Sequence, residues 1–538
     1  MAWIWLVLYF CGSAGLVWHA VHEFHALNSP MSVIVARSGG ANLNFHAVLL
    51  VGTMLRHTSN LIGNNRYVAE LFPLAVTVPL HKLFAVMNIF WVIVHTAGHL
   101  AHFALFFSAE VAVDFVFTNN NKLGWAGVSA GATGVALFIL FAAIVTGYIL
   151  AHSRFMEKHS FSFEIFYFSH FLTFVYFAVM IVHAPSCWRW LVVPLGLYLI
   201  EWLYRLVTRN EGCRAVTMKN LPSGVTMIEL KRTNAFREWL PGSYAFINIP
   251  EISYYQWHPF TIASSSLKPA ETITFFIRVK NPKSWTFNLR AAIANGGVES
   301  MSRRKGILAA VFSSLSASIL PVGVGALTFH LDGPYGAPTQ RVFSCKHSIL
   351  VAAGIGVTPS RAILDHLYYI CKAGDDGAAD RSSELGSLER LDFCWLYNDV
   401  DAAAWFTPLL SAIEKEIQDN PHSLLAKILH IHLFLTSLNT KADKDSLTLH
   451  LAVDALIGTD DMATGFNWSH ETEDHPILHL REKLHTGHPD WKAHLQNFKT
   501  FSPDSDEMTV FFCGPDALGK TTAAACALEG VKFRQEVF

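Results

Sequence analysis

With 538 residues the chain has room for about three domains. Its net charge of −2 leaves no basic excess to hold nucleic acid and no bias toward an acidic partner. The eight cysteines, at 11, 187, 213, 345, 371, 394, 513 and 526, include no CxxC pair, so neither a zinc site nor a disulfide framework is expected.

The averages conceal a division. Residues 1–207 are mostly apolar stretches, and the rest has the mixed composition of a soluble protein. Six stretches approach the length of about 20 residues that crosses a bilayer: 2–21, 43–63, 81–103, 129–151, 164–184 and 188–207. The first lacks the basic start and the cleavage site of a signal peptide and reads as a span. Basic residues gather on one side of the spans, at Arg56, Arg66, Lys82, Arg154, Lys158, Arg205, Arg209 and Arg214, against Arg37, Lys122 and Arg189 on the other. The richer side is cytoplasmic, which puts both termini and everything after residue 207 in the cytoplasm.

Span three carries His81, His95, His99 and His102. Ionisable groups inside a span are costly, so each is a functional candidate. His81 and His95 are 14 residues apart, about 21 Å and close to four turns. In a hydrocarbon core about 30 Å thick their rings leave one helix face in opposite leaflets. Span five answers with His170 and His183, 13 residues apart. That spacing leaves them about 140° apart around an ideal helix, so a kink or different rotamers must align them. One lone histidine is better read as a hydrogen bond to a neighbouring helix. Two pairs at matching depth are better read as bis-His ligation of two haems, one above the other.

The second half begins with short alternating strands over 213–340, which suggest a small antiparallel barrel containing HPFTIASSS at 258–266. An uncharged run at 306–329 has the length of a seventh span. It lies between two motifs of one domain, and reads as an insertion or buried segment. Residues 341–538 alternate strands and helices. SILVAAGIGVTP (348–359) is a strand entering a glycine-rich turn and a helix, and TVFFCGP (509–515) is a strand ending in a Gly-Pro turn. Glycines let backbone N–H groups approach phosphates, and ligands bind at the carboxyl ends of such strands. A lone GxG serves equally as a structural turn. The joint order HPFT, DGPYG, GxGxTP, CGP is far more specific.

Nearly end to end, the chain resembles the NADPH oxidases of the flavocytochrome b superfamily, which also contains the ferric reductases. The resemblance runs through RSGGANLNF (37–45), the span histidines, AGATGVALFIL (130–140), SFEIFYFSH (162–170), WHPFTIASS (257–265), LDGPYGA (331–337), VAAGIGVTP (351–359), TGHPDW (486–491) and VFFCGPDAL (510–518) to the terminal Phe538. It implies a membrane α-helical six-span bundle over 1–208, followed by a ferredoxin-reductase-like module. That module comprises an antiparallel β-barrel FAD domain over 213–340 and an α/β parallel-sheet NAD(P)H domain over 341–538.

Residue roles follow from the resemblance. His81 with His170 would hold an inner b-type haem, and His95 with His183 an outer one, with Arg56 at a haem propionate. In the HPFT stretch Phe260 would stack on the flavin, Thr261 reach its N5, His258 meet the FAD phosphates with Arg278, and Pro259 and Ser264 complete the contact. Trp285 and Thr286 would flank the flavin, and Phe538 would shield its face. Gly354, Gly356, Val357, Thr358 and Pro359 would cradle the nicotinamide dinucleotide, with Cys513, Gly514 and Pro515 beside the nicotinamide. The family commonly has Arg where Asn398 and His488 stand. Arg is the usual fork for a 2′-phosphate, so NADPH should lose its advantage over NADH unless Arg361 reads that phosphate instead.

The implied activity is transmembrane NAD(P)H oxidation, with electrons passing through FAD and two haems to O2 on the far side to give superoxide. Arg37 and His99 are candidates for the polar pocket that stabilises developing superoxide. Their plainer readings are a solvated loop charge and a hydrogen bond to a neighbouring helix. The alternative activity is a ferric or cupric reductase with the same electron path. A haem protein that only relays or senses is opposed by the whole FAD and dinucleotide half. No EF-hand pattern precedes the spans, so direct calcium control is not expected. Family members of that kind often need cytosolic activators and a small membrane subunit. The bilayer itself is the remaining partner.

Overall fold

The computed structural model describes residues 2–63, 77–117, 129–153, 162–209, 212–279, 281–282, 284–294, 327–375, 382–398, 405–437, 484–501 and 507–536. The chain divides into two compact units, Met1–Leu206 and Val207–Phe538.

The first unit is helical: α1 (Ala2–Ala26), α2 (Met31–Gly52), α3 (Arg56–Gly63), α4 (Thr77–Phe106), α5 (Ala109–Phe117), α6 (Ala130–Ala151), α7 (Ser162–His183) and α8, which begins at Cys187 and ends at Thr208. Among the described residues, α1, α4, α6, α7 and α8 are long and apolar enough to cross a membrane. Their lipid-length apolar surfaces make this a membrane protein.

The second apolar stretch needs correction. The sequence suggests a span at 43–63. The structure instead has α2 over Met31–Gly52, a turn, and the separate short helix α3. Hydropathy misplaced the start because α2 carries its polar groups inward. Asn42 accepts from Ser13 Oγ at 2.6 Å, and Tyr9 Oη lies 2.7 Å from His46 Nε2. Both Asn42 and His46 are fully buried.

α2 also packs tightly on α4, and two glycines make this possible. A Cβ on Gly39 would stand 2.8 Å from the His95 backbone nitrogen, and one on Gly98 would stand 2.7 Å from the Ala36 nitrogen. No side chain fits at such distances. The fifth stretch shows no break: α7 runs continuously with His183 as its last residue. The misfit of a 13-residue spacing is therefore taken up by the side chains.

The second unit opens with a six-stranded antiparallel sheet: β1 (Gly212–Asn220), β2 (Val225–Lys231), β3 (Tyr244–Asn248), β4 (His258–Thr261), β5 (Thr272–Arg278) and β6 (Thr328–Tyr335). The helix α9 (Trp285–Ala294) lies between β5 and β6 in the chain. The order is β4-β3-β6-β1-β2-β5. Just past β4, Ala263 N donates to Thr274 O of β5 at 2.8 Å, which brings the two edges together as a barrel. Ile228, Leu230, Ile247, Phe275 and Phe329 fill it. Of the uncharged run at 306–329, only the last three residues are described: Leu327 precedes β6, and Thr328 and Phe329 begin it.

A second sheet is wholly parallel: β7 (His347–Ala353), β8 (Arg390–Tyr397), β9 (Leu429–Leu435), β10 (Leu484–Thr486), β11 (Met508–Cys513) and β12 (Lys532–Gln535). Its order is β10-β9-β8-β7-β11-β12. The chain builds outward from β7 in one direction, then returns to its other side. The switch point lies between β7 and β11, where doubly wound sheets open a crevice at their carboxyl ends. Helices α10 (Thr358–Asp375), α11 (Thr407–Asp419), α12 (Leu424–Ile428), α13 (Trp491–Lys499) and α14 (Asp516–Glu529) connect the strands.

Candidate functional site

Helices α4 and α7 each bring two imidazoles to the other. The ring centres of His81 and His170 lie 6.2 Å apart, and those of His95 and His183 also 6.2 Å. Two metal–imidazole bonds of about 2 Å each, set in line, separate ring centres by about 6 Å. Each pair therefore has the span of a single metal held between two imidazoles.

The outward-facing nitrogens support the same reading. His95 Nδ1 donates to Ala36 O at 2.8 Å. Thr53 Oγ1 lies 2.9 Å from His81 Nδ1, and Thr133 Oγ1 lies 3.0 Å from His183 Nδ1. With Nδ1 engaged, Nε2 is left as the ligand atom. These residues fit a bis-imidazole iron at each level.

Around the outer pair, the His99 ring meets that of His95 at 4.7 Å. Arg37 lies within electrostatic reach of His95, His99 and His183. Its guanidinium sits 5.3 Å from the Phe24 ring centre. Arg37 is not at the mouth of a span; it lies in the second turn of α2. Arg56 is the first residue of α3. Sequence reasoning passed over one buried pair. Asn88, seven residues from both His81 and His95, hydrogen-bonds Tyr176 of α7. The signal was its position midway between two ligand candidates.

In the second unit the glycines meet at the switch point. Gly354 has φ +54, which a side chain rarely tolerates, and the Arg278 guanidinium lies 3.7 Å from where its Cβ would be. A Cβ on Gly356 would stand 2.5 Å from Cys513 O. The GxG turn is thus pressed onto the CGP turn, and it leads directly into α10, whose first residues are Thr358 and Pro359. Val357 is buried beneath. Gly514 follows Cys513, and Pro515 caps α14. Backbone N–H groups at a turn without side chains make an anion cradle.

In the barrel, β4 carries His258, Pro259, Phe260 and Thr261. The Trp285 ring lies 4.7 Å from His258 and stacks 5.9 Å from Phe260. Its indole N–H is buried without a partner among the described residues. Burial holds the His258 imidazole neutral, with its pKa lowered to about 4. Thr286 Oγ1 lies 3.0 Å from Ser284 Oγ at the start of α9.

Two residues of the expected cofactor set also have contacts within the protein. Ser264 is buried, and its Oγ accepts from Thr274 N at 3.0 Å. It closes the barrel. Arg361 is turned to the barrel as well. It donates to Ala263 O, and its guanidinium lies 4.9 Å from the Phe276 ring centre. It has joined Asp365, which accepts from Ser265 N at 2.7 Å, and His366, whose Nδ1 lies 3.0 Å from Ser265 Oγ. One face of α10 thereby grips residues 263–265. Asn398 and His488 are both exposed just past the carboxyl ends of β8 and β10.

Phe538 lies outside the described residues. Two positions before it, Glu536 was missed because only the terminal aromatic drew notice. Its carboxyl is buried, accepts from Thr339 Oγ1 and hydrogen-bonds Cys513. Burial pushes its pKa up to about 7. Burial, followed by the Glu536 charge, holds the Cys513 thiol well above its ordinary range.

Residues 210–339 match an FAD-binding domain, and residues 345–527 a ferric reductase NAD binding domain. NADPH oxidase 5 of Homo sapiens is 30% identical over 526 residues, covering 94% of this chain and 65% of that protein. A superoxide-generating NADPH oxidase heavy chain of Dictyostelium discoideum is 27% identical over 542 residues, covering 96% of this chain and 92% of that one. NADPH oxidase 1 of Mus musculus is 23% identical over 570 residues, 92% of this chain and 84% of that one.

Apolar helices followed in the chain by a flavin barrel and a doubly wound nucleotide sheet define a membrane protein with an FAD-binding domain and a ferric reductase NAD binding domain. Over nearly its whole length the sequence follows relatives of one kind. The chain is thus similar over nearly its whole length to NADPH oxidases, and its second unit carries an FAD-binding domain and a ferric reductase NAD binding domain.

Proposed function

We propose that the protein is a transmembrane NAD(P)H oxidase, carrying electrons from cytosolic NAD(P)H to O2 on the opposite face and releasing superoxide. The carrying observation is the pair of histidine contacts, each 6.2 Å between ring centres, on two helices of one membrane unit. The proposed domains are 1–208, 213–340 and 341–538. Six spans, with α2 among them, keep both termini cytoplasmic. When bound, the flavin splits the hydride's electron pair, and two haems offer one-electron stations across the bilayer.

The chain's own residues have separable tasks. His81 with His170 and His95 with His183 hold the two irons, and Arg56 serves a propionate. His258, Pro259, Phe260, Thr261, Arg278, Trp285, Thr286 and Phe538 hold FAD. The 354–359 turn and residues 513–515 seat the dinucleotide, with Asn398 and His488 at its 2′ end. Cys513, as a thiol, adds no charge beside the reacting carbon. Arg37 and His99 would stabilise negative charge developing on oxygen. Cytosolic activators and a small membrane subunit are candidate partners.

The test begins with haem content and a reduced-minus-oxidised spectrum of purified protein. Titration with NADPH and NADH follows, with and without oxygen. Two haems per chain and oxygen-dependent superoxide are expected. Arg37→Ala and His99→Ala should slow superoxide production while both haems still reduce anaerobically. Unchanged oxygen turnover in both, with reduction of ferric or cupric ions, would make the protein a metal reductase.

A further inference from the structure

The two threonines beside the ligand histidines are arranged alike although they come from unrelated stretches. Thr53 is the C-cap of α2 and faces His81 of α4; Thr133 lies in the first turn of α6 and faces His183 of α7. Each histidine pair thus has one threonine.

A threonine hydroxyl has one hydrogen to give and two lone pairs to receive with. Thr53 Oγ1 gives its hydrogen to Leu50 O at 2.9 Å. Thr133 Oγ1 gives its own to Ser129 O at 2.9 Å, shared with Ala130 O at 3.2 Å. Back-bonding of this kind is common for threonine in a helix. Here it has a second effect. With the hydrogen committed, the oxygen can only accept from the nearby ring nitrogen, and it shares that proton with a backbone carbonyl, Leu50 O for His81 and Ala130 O for His183, so Nδ1 carries the proton and Nε2 the lone pair.

We propose that Thr53 and Thr133 are positioning residues that, as second acceptors beside Leu50 O and Ala130 O, orient His81 and His183 and raise the donor strength of their Nε2 toward iron. The proposal rests on the haem reading above. An acceptor on Nδ1–H makes an imidazole a more basic ligand. A more basic ligand favours ferric over ferrous iron and lowers the midpoint potential of its own haem. The threonines would thereby set the inner and the outer potential separately.

The test uses the full chain, purified with its haems, as wild type and as Thr53→Val, Thr133→Val, Thr53→Ser and Thr133→Ser. Valine keeps the volume and loses the hydroxyl; serine keeps the hydroxyl. Readouts are haem content, both midpoint potentials and the low-spin ferric electron paramagnetic resonance spectrum. Each valine variant should retain two haems and raise one potential only, the inner for Thr53 and the outer for Thr133. The expected change is about tenfold in the oxidised-to-reduced ratio, which is 59 mV for one electron. Serine should restore the wild-type value.

If a valine variant loses its own haem while the serine variant keeps it, the hydroxyl holds the ligand and the proposal stands. Potentials and spectra unmoved in both valine variants would overturn it. So would equal shifts of both haems, or loss of haem in valine and serine alike, which would assign the threonines to packing. Wild-type protein with fewer than two haems would refute the haem reading itself, and with it this proposal. That control separates the two failures.

Discussion

A histidine in α4 and a serine in the barrel meet opposite surroundings. In the first unit the background is apolar, and each of several imidazoles turns up against another helix: His81 at His170, His95 at His183, His46 at Tyr9. In the second unit polar groups are common, and the fold consumes many of them. Ser264 closes the barrel, Arg361 and Asp365 grip residues 263–265, and the buried Asp392 accepts from Arg390 at 2.7 Å and lies 2.6 Å from His347 Nε2. Cost explains the contrast. A polar side chain in a span is retained against several kcal/mol only with a partner or a task. A serine in a soluble barrel is nearly free of such pressure. Rarity therefore points to function in one unit and not in the other.

The comparison breaks most visibly at the outer histidines. His95→Leu or His183→Leu should remove one of two haems and abolish superoxide production while leaving flavin and NAD(P)H binding intact. Pyridine haemochrome counting with a flavin assay checks this. Two haems in either variant would show that a rare polar residue in a span can be mere structure.

Glu536 sharpens the other side, because it is a polar residue of the second unit whose setting sequence did not reveal. Its folded pKa is raised from 4.5 to about 7. Between those values the folded chain binds more protons at this group than the unfolded one, so its contribution to stability is fully present below pH 4.5 and is lost as pH rises through about 7. The group's share is about 3 kcal/mol at about 1.36 kcal/mol per unit. Glu536→Gln should flatten that part of the pH profile, measured as thermal release of flavin fluorescence. An unchanged slope would mean another group carries it.

Gly356→Ala tests the backbone, the part of the second unit that sequence did disclose. Its Cβ would meet Cys513 O at 2.5 Å, so one turn must move off the other. Misplacement of about 1 Å costs on the order of 100-fold in rate. Stopped-flow reduction of the flavin by NAD(P)H should slow by about that factor at unchanged flavin content. The smallest effect concerns coenzyme choice. With Arg361 turned to the barrel, Asn398→Arg should lower the KM for NADPH about tenfold, from a charge-assisted contact of about 1.5–3 kcal/mol, with little change for NADH. Strong NADPH selectivity in the wild type would show the 2′-phosphate to be read elsewhere.

The same contrast governs what could be read in advance. Five long apolar helices, the barrel strands and the parallel sheet were legible because their patterns are continuous over many residues. The pairing of histidines was legible from their matching depth together with the resemblance, and not from the 13-residue spacing of His170 and His183 by itself. The start of α2 was not, since Arg37, Asn42 and His46 lowered its hydropathy while facing protein. Ser264 and Arg361 sit inside or beside strong motifs, and a motif does not say which protein contacts its side chains make. Glu536 could be recognised only once the fold had set it against Thr339 and Cys513.

The glycine seam between α2 and α4 has a consequence for how such a chain is made. On the six-span reading, α2 enters the membrane carrying Arg37, Asn42, Asn44 and His46 in 22 residues. A charged residue at a helix centre costs about 2.5–3.5 kcal/mol on insertion scales, so α2 alone is a poor guest for lipid. α1 is already synthesised and supplies Ser13 and Tyr9 to Asn42 and His46. The seam at Gly39 stays open until α4 arrives with Gly98 and covers Ala36. A chain that stalls between residues 52 and 77 would hold a half-sheltered helix at the insertion site. On that reading, insertion would pass through a vulnerable interval, bounded by the end of α2 and the arrival of α4.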